Sequence, residues 1–231
     1  MKLRLLTLGL AATVFAAGCS DDDDSSTGPT TEAGVRVVHA SPDAPNVDVL
    51  VDDAQVLSAV PYLGASGYLE VPSGTRNVKV NAAGTSTTVI DADLPLTAGT
   101  DYTVIAGGLV SAIEPLVLED DRTAPPAGNV KVRAVHGAPS APAVDIYVTA
   151  PGADLQAATP ALSNVPFGAA SDYLTVPAGD YQVRVTPAGS KTVVIDSGSL
   201  TLAAGQVRTA IAVDNPGGGA PFDFLFLADM N

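Results

Sequence analysis

One stretch of this chain occurs twice, and that constrains its fold more than any other feature. VRVVHASPDAPNVDVLV, residues 35–51, returns as VRAVHGAPSAPAVDIYV, residues 132–148. Each copy opens with a run rich in β-branched residues, which suits a strand. Two prolines then remove amide donors and fix φ, so pairing must stop there. In the first copy Val47, Val49 and Val51 alternate with Asp48 and Leu50, the period of a second strand. The predicted unit is strand, stiff proline loop, strand.

The correspondence continues along the chain. VPYLGASGYLEVPSGT (60–75) matches VPFGAASDYLTVPAGD (165–180), and NVKVNAAG (77–84) matches QVRVTPAG (182–189). LPLTAGTDYTVIA then matches LTLAAGQVRTAIA, with the chief insertion at residues 151–159. A repeat of this kind predicts two like domains of roughly 90–100 residues. They span residues 35–121 and 129–231, with a proline-stiffened linker at 122–128.

In the first copy, further strand-like runs fall at 56–60, 68–71, 77–81, 87–91, 102–107 and 113–118. Discounting the shortest leaves about seven strands, separated by turns such as Pro72-Ser73-Gly74 and Ala98-Gly99. No apolar pattern of helical period runs long enough for a helix. The expectation is an all-β chain: two tandem immunoglobulin-like antiparallel β-sandwich domains, each with its own core. The chain has no tryptophan and a single cysteine, so the likeness is one of architecture. Phe222, Phe224 and Phe226 alternate in a last strand whose aromatic face is expected to pack into the core or close an edge.

The combination H-A-S-P-D-A-P-x-V-D-V, G-A-S-x-Y-L-x-V-P-x-G and V-x-V-x-x-A-G resembles the domain of unknown function 4397 family. Both copies carry it. The resemblance implies a secreted or surface-anchored prokaryotic protein with tandem domains, and it implies no particular activity.

Residues 1–18 have the form of a targeting segment. Lys2 and Arg4 precede an apolar run at 5–17, which is short of the roughly 20 residues a spanning helix needs. Ala16-Ala17-Gly18-Cys19 resembles the lipobox of bacterial lipoproteins, with Ala16 where leucine is usual. That resemblance implies lipid attachment at Cys19, the only cysteine, and Ser20 after it implies the outer membrane. Residues 19–34, with Asp21 to Asp24 and then Ser, Thr and Gly, are too polar to bury anything and are expected to form a disordered tether. Cell-envelope localisation through an N-terminal lipid follows.

Charge excludes one class of function. The chain carries −14, and residues 33–121 hold twelve acids against three bases, whereas 122–231 hold eight against six. Such a surface repels phosphate backbones, which excludes nucleic-acid binding.

His39 and His136 hold matched positions, each followed nine residues later by an aspartate, Asp48 and Asp145. One histidine and one carboxylate are too few for a zinc site. The expectation is a structural polar pair that ties each proline loop to its neighbouring strand. Asp43, Asp48, Asp52 and Asp53 are weak calcium candidates in the first copy alone.

No nucleophile elbow, zinc-helix motif, phosphate loop or paired-cysteine motif occurs. Tyr62, Tyr68, Tyr147 and Tyr173 are the side chains that could replace tryptophan as a stacking platform. The leading expectation is therefore a non-catalytic binding or adhesion module displayed on the cell surface, monomeric, without a cofactor, and with a protein or glycan partner. A passive structural spacer of the envelope is second; a calcium-dependent module or a hydrolase comes last.

Overall fold

The computed structural model describes residues 31–230. The expected signal peptide and all but the end of the tether lie outside these residues. The first copy contains β1 (Glu32–His39), β2 (Val47–Val51), β3 (Ala54–Val60), β4 (Leu69–Pro72), β5 (Gly74–Ala82), β6 (Thr88–Leu96), β7 (Asp101–Gly107) and β8 (Glu114–Asp120). One 3-10 turn, Val110–Ala112, precedes β8. The second copy contains β9 (Asn129–His136), β10 (Val144–Thr149), β11 (Leu162–Val165), β12 (Leu174–Pro177), β13 (Gly179–Pro187), β14 (Ile195–Asp196), β15 (Leu200–Leu202), β16 (Val207–Val213) and β17 (Asp223–Met230). The first copy therefore has eight strands where seven were expected, because the short β4 pairs fully with β1.

Each copy is a sandwich of two sheets. In the first, β4-β1-β7-β8 packs on β3-β2-β5-β6; in the second, β12-β9-β16-β17 packs on β11-β10-β13-β14, with β15 also paired to β13. The immunoglobulin-like β-sandwich reading holds, with one addition. Each copy has one parallel pair, β1 with β7 and β9 with β16; the remaining pairs are antiparallel.

Inside the first copy, Val35, Val37, Tyr102 and Val104 from one sheet interlock with Val49, Val78 and Leu94 from the other. The expectation that each copy keeps a wholly separate core is corrected by a further cluster. Val38, Ala40 and Ile105 of the first copy pack directly on Val135, Ile211, Val213 and Leu227 of the second. The β1 and β9 sheets thus face each other and form the two inner layers of a four-layer stack. A strand covered on both faces needs buried residues at consecutive positions rather than in alternation. Hence Val35 through His39 are all buried, Arg36 among them.

A buried guanidinium is costly unless paired and hydrogen-bonded. Arg36 reaches across the interface to Asp229 on β17 at 2.5 Å and donates to the Ala228 carbonyl at 3.1 Å. Arg133 reaches the opposite way to Asp120 on β8 at 2.5 Å and donates to the Glu119 carbonyl at 2.9 Å. Each aspartate is also held by its own copy: Thr103 and Tyr68 donate to Asp120, and Thr209 and Tyr173 donate to Asp229. Both tyrosine rings lie under an arginine, Tyr68 at 4.8 Å from Arg36 and Tyr173 at 4.5 Å from Arg133. Burial pushes both phenols well above the usual tyrosine range.

This reciprocal clasp predicts joint unfolding. Arg36→Ala strands Asp229 in the interior and is expected to cost about 3–5 kcal/mol, whereas Arg36→Met combined with Asp229→Leu should recover most of that loss. Denaturant unfolding followed separately by circular dichroism and tyrosine fluorescence should give one coincident transition. Two resolved transitions would contradict the shared core.

Candidate functional site

The sequence-marked polar residues are engaged by the chain itself. His39 is fully buried, and its Nε2 donates to the Pro45 carbonyl at 3.0 Å; His136 does the same to Pro142 at 3.0 Å. Each ring meets an aromatic edge-on, Tyr62 in the first copy and Phe167 in the second. Burial lowers both histidine pKa values below the ordinary range, the carbonyl contact opposing it.

The expected partnership of each histidine with its aspartate is corrected. Asp48 accepts from the amides of Ala59 (2.7 Å) and Gly84 (3.0 Å), and Asp145 from those of Asn164 (2.8 Å) and Gly189 (2.9 Å). All four amide donors belong to residues with positive φ. The aspartate therefore holds a bulge and a turn in left-handed conformations, while the histidine closes the proline loop by itself. These amide bonds lower the Asp48 pKa.

The calcium candidates are dispersed in the same way. Asp52 and Asp53 form the two-residue hairpin between β2 and β3 with φ of 49° and 65°, the backbone of a type I′ turn, where aspartate is favoured. Their side chains pair with Arg76 and Lys79, and Asp43 accepts from the Val110 amide. Among the described residues no three His, Cys, Asp or Glu side chains converge on a metal position. The four tyrosines considered as stacking platforms are also committed internally. Tyr62 donates to the Asp214 carbonyl, Tyr68 and Tyr173 belong to the clasp, and Tyr147 is buried with Lys191 over its ring. Cys19 lies outside the described residues.

A concave site exists elsewhere, between the sheets of the second copy. A cleft of about 280 Å³ is walled by Val132, Val176, Val183, Leu200 and Leu202, with Phe226 and Arg208 beside them. At the equivalent place in the first copy Val35, Val71, Val78, Leu94, Leu96 and Tyr102 are buried and packed on one another. The difference traces to a few positions. Arg208 and Ala210 on β16, both lining the cleft, stand where β7 carries Tyr102 and Val104. A guanidinium does not replace a buried phenol ring in apolar space, and Ala210 lacks the two methyl groups of the valine.

The facing strand is altered as well. The continuous β6 of the first copy becomes two short pieces, β14 and β15, divided at Ser197-Gly198-Ser199, where Gly198 has φ of 61°. One structural duty of the missing tyrosine is preserved. Tyr102 Oη accepts from the Thr97 amide at 3.2 Å; in the second copy Gln206 Oε1 accepts from the matching Ala203 amide at 3.1 Å. The turn keeps its hydrogen bond while the core loses its ring.

Phe222 and Phe224 do pack into the second copy's core, as expected. Phe226, on the edge strand β17, lies outside that core: it is 46% exposed and lines the cleft, as does Val148, which is 38% exposed. The cleft was legible in principle as a set of unequal residues at equivalent places in the two copies, the one signal that a search for shared residues passes over.

The histidine geometry yields a pH prediction. Their folded pKa lies below the unfolded value near 6.5, so the stability they contribute is present above that value. It is lost as pH falls through the depressed folded pKa. His39→Gln with His136→Gln should lower stability at pH 7.5 by about 1–2 kcal/mol yet flatten the loss between pH 7.5 and 5. Urea midpoints across that range check this; equal slopes for both proteins would contradict it.

No curated protein matches the chain significantly. Among solved structures, the CBM26-family module CBMbc of Eubacterium rectale Amy13K, determined with maltoheptaose, is 8% identical. It covers 84% of this chain and 96% of its own, with a TM-score of 0.27. A leucine-rich repeat protein of Bacteroides thetaiotaomicron is 14% identical over 84% of this chain and 27% of its own, with a TM-score of 0.19. Superposition that loose adds nothing about ligands. None of the comparisons indicates a catalytic family. Two adjacent segments, 33–147 and 148–231, match one family, and the chain belongs to it: the domain of unknown function family DUF4397.

Proposed function

We propose that this protein is a lipid-anchored, non-catalytic binding module of the cell envelope, and that it binds through the open cleft of its second repeat. One observation carries the binding reading: where the first copy packs Val35, Val71, Leu94, Leu96 and Tyr102 into its core, the second copy has an open cleft of about 280 Å³. Leaving a core unfilled forfeits contacts and exposes apolar surface, each a loss of stability. A passive spacer gains nothing from that loss, whereas a binding protein does. Concave, mostly apolar sites with a few polar groups are the usual form of small-molecule pockets.

The envelope location rests on the lipobox-like Ala16-Ala17-Gly18-Cys19 and the acidic stretch that follows. An acylated Cys19 ties the folded repeats to a membrane, and two or more acyl chains give lasting attachment. A non-catalytic role is consistent with where the polar residues are spent: His39, His136, Asp48 and Asp145 serve turns and loops.

Two measurements test these points. Arg208→Tyr with Ala210→Val rebuilds the first copy's packing in the second. It should raise stability by about 0.5–2 kcal/mol and abolish the fluorescence enhancement that the neutral probe Nile red shows with the parent protein. A parent protein that does not enhance Nile red fluorescence would remove the cleft as a binding site. Metabolic labelling with a fatty-acid probe should mark the parent chain and spare Cys19→Ala; equal labelling would remove the anchor.

A further inference from the structure

We infer that the cleft of the second repeat takes a single-chain amphiphile with an anionic head, a medium-chain carboxylate whose tail lies between the sheets and whose head pairs with Arg208. This rests on the cleft being the binding site, and it adds the identity of what enters.

Size comes first. A dry apolar cavity of roughly 150 Å³ accommodates benzene, so about 280 Å³ holds a chain of about ten carbons. The walls suit such a chain: Val132, Val176, Val183, Leu200 and Leu202 are aliphatic and offer no stacking face inside. Phe226 and Val148, both partly exposed, extend the apolar surface toward solvent.

Charge then selects the head. The second copy with its preceding linker contains six Lys and Arg residues, and five of them are engaged. Arg122 pairs with Asp101, Lys131 with Asp121 and Arg133 with Asp120; Arg184 donates to the Ala153 carbonyl and Lys191 to that of Ala158. Among the described residues Arg208 alone has no hydrogen-bonded or ionic partner for its guanidinium, and it lines the cleft.

The first copy explains why none is at hand. There Tyr102 lies opposite Glu119 in the β7–β8 ladder, whereas Arg208 lies opposite Ala228 in the β16–β17 ladder. The second copy thus has no carboxylate opposite the position at which it carries the cation. The other polar side chains at the border are tied to the chain: Tyr181 donates to the Pro177 carbonyl, Thr201 to Asp180, and Gln206 accepts from Ala203 through its Oε1.

The protein's negative charge is unevenly spread, although Asp180, which accepts from the lining Thr201, is one carboxylate near the cleft. The acids are concentrated in residues 33–121, with twelve against three bases. Exposed charges beyond a Debye length, about 8 Å at physiological salt, are largely screened. An arginine at the border of apolar walls makes a strong charge-assisted pair with a carboxylate.

The test uses the full chain carrying Cys19→Ala, so that no attached acyl group competes, with decanoate and decanol as probes in calorimetric titration. Decanoate should bind at least tenfold more tightly than decanol. Arg208→Gln should weaken decanoate by about tenfold and leave decanol within twofold, the loss of about one charged hydrogen bond. Arg208→Tyr with Ala210→Val should bind neither. If both probes bind equally and Arg208→Gln changes nothing, the anionic head is overturned while the binding cleft stands. Binding of neither, with Nile red also silent, overturns both; binding of neither with Nile red still bound overturns only the carboxylate. A parent chain that sediments as a dimer, and becomes monomeric when the cleft is filled, assigns the cleft to a second copy and overturns the proposal.

Discussion

Two buried arginines govern this structure. Arg36 and Arg133 each sit at the centre of a strand covered on both faces, where an unpaired guanidinium is not tolerated. Neither finds its principal carboxylate on its own copy. Asp229 serves Arg36 and Asp120 serves Arg133, so each final strand is anchored by the other repeat. The apolar cluster of Val38, Ile105, Val135, Ile211 and Leu227 lies in the same interface. Apolar contact supplies most of the burial there, while the crossed ion pairs set the alignment. A slip by two residues, which keeps the same face inward, would bring Val38 or Val135 to a carboxylate and a guanidinium to Leu227 or Leu118.

That arrangement clarifies what in the fold could be read beforehand. Strand positions, proline loops and the doubling of the domain follow from local chemistry, because β-branched runs, Pro42, Pro45 and the Gly-containing turns act within a few residues of themselves. The pairing of Arg36 with Asp229 spans 193 positions and depends on which outer face meets which. A single buried arginine in VRVVH carries no sign of the direction from which its partner will arrive. The same limit applies to His39 and Asp48. Their constant spacing in both copies suggested a pair, but spacing recurs equally well when two residues perform separate local duties. One histidine caps a loop carbonyl, and one aspartate holds left-handed amides.

The carboxylates of residues 43–53 carry a related lesson. Clustering in sequence resembled a cation site, yet two of them are there because a two-residue hairpin needs side chains that accept positive φ. Their charges are then met by Arg76 and Lys79 on the neighbouring strand. Acidic density in a small β-protein can thus arise from turn chemistry alone.

Duplication followed by fusion through a shared core also gives the second repeat a freedom that a solitary sandwich lacks. An isolated domain of about 100 residues has only some 5–15 kcal/mol of stability, and opening a cleft of about 280 Å³ in its interior would consume much of that. Here the second copy's inner sheet is held by the interface with the first, through Val135, Ile211, Val213 and the clasp at Arg133 and Asp229. Its outer half can then depart from ideal packing. Besides the break between β14 and β15, the departures fall on the side of β16 facing away from the interface, at Arg208 and Ala210. On the interface side Val207, Thr209 and Ile211 remain fully buried. Alternation along one strand separates the two roles: odd-numbered residues hold the repeats together, and even-numbered residues shape the cleft.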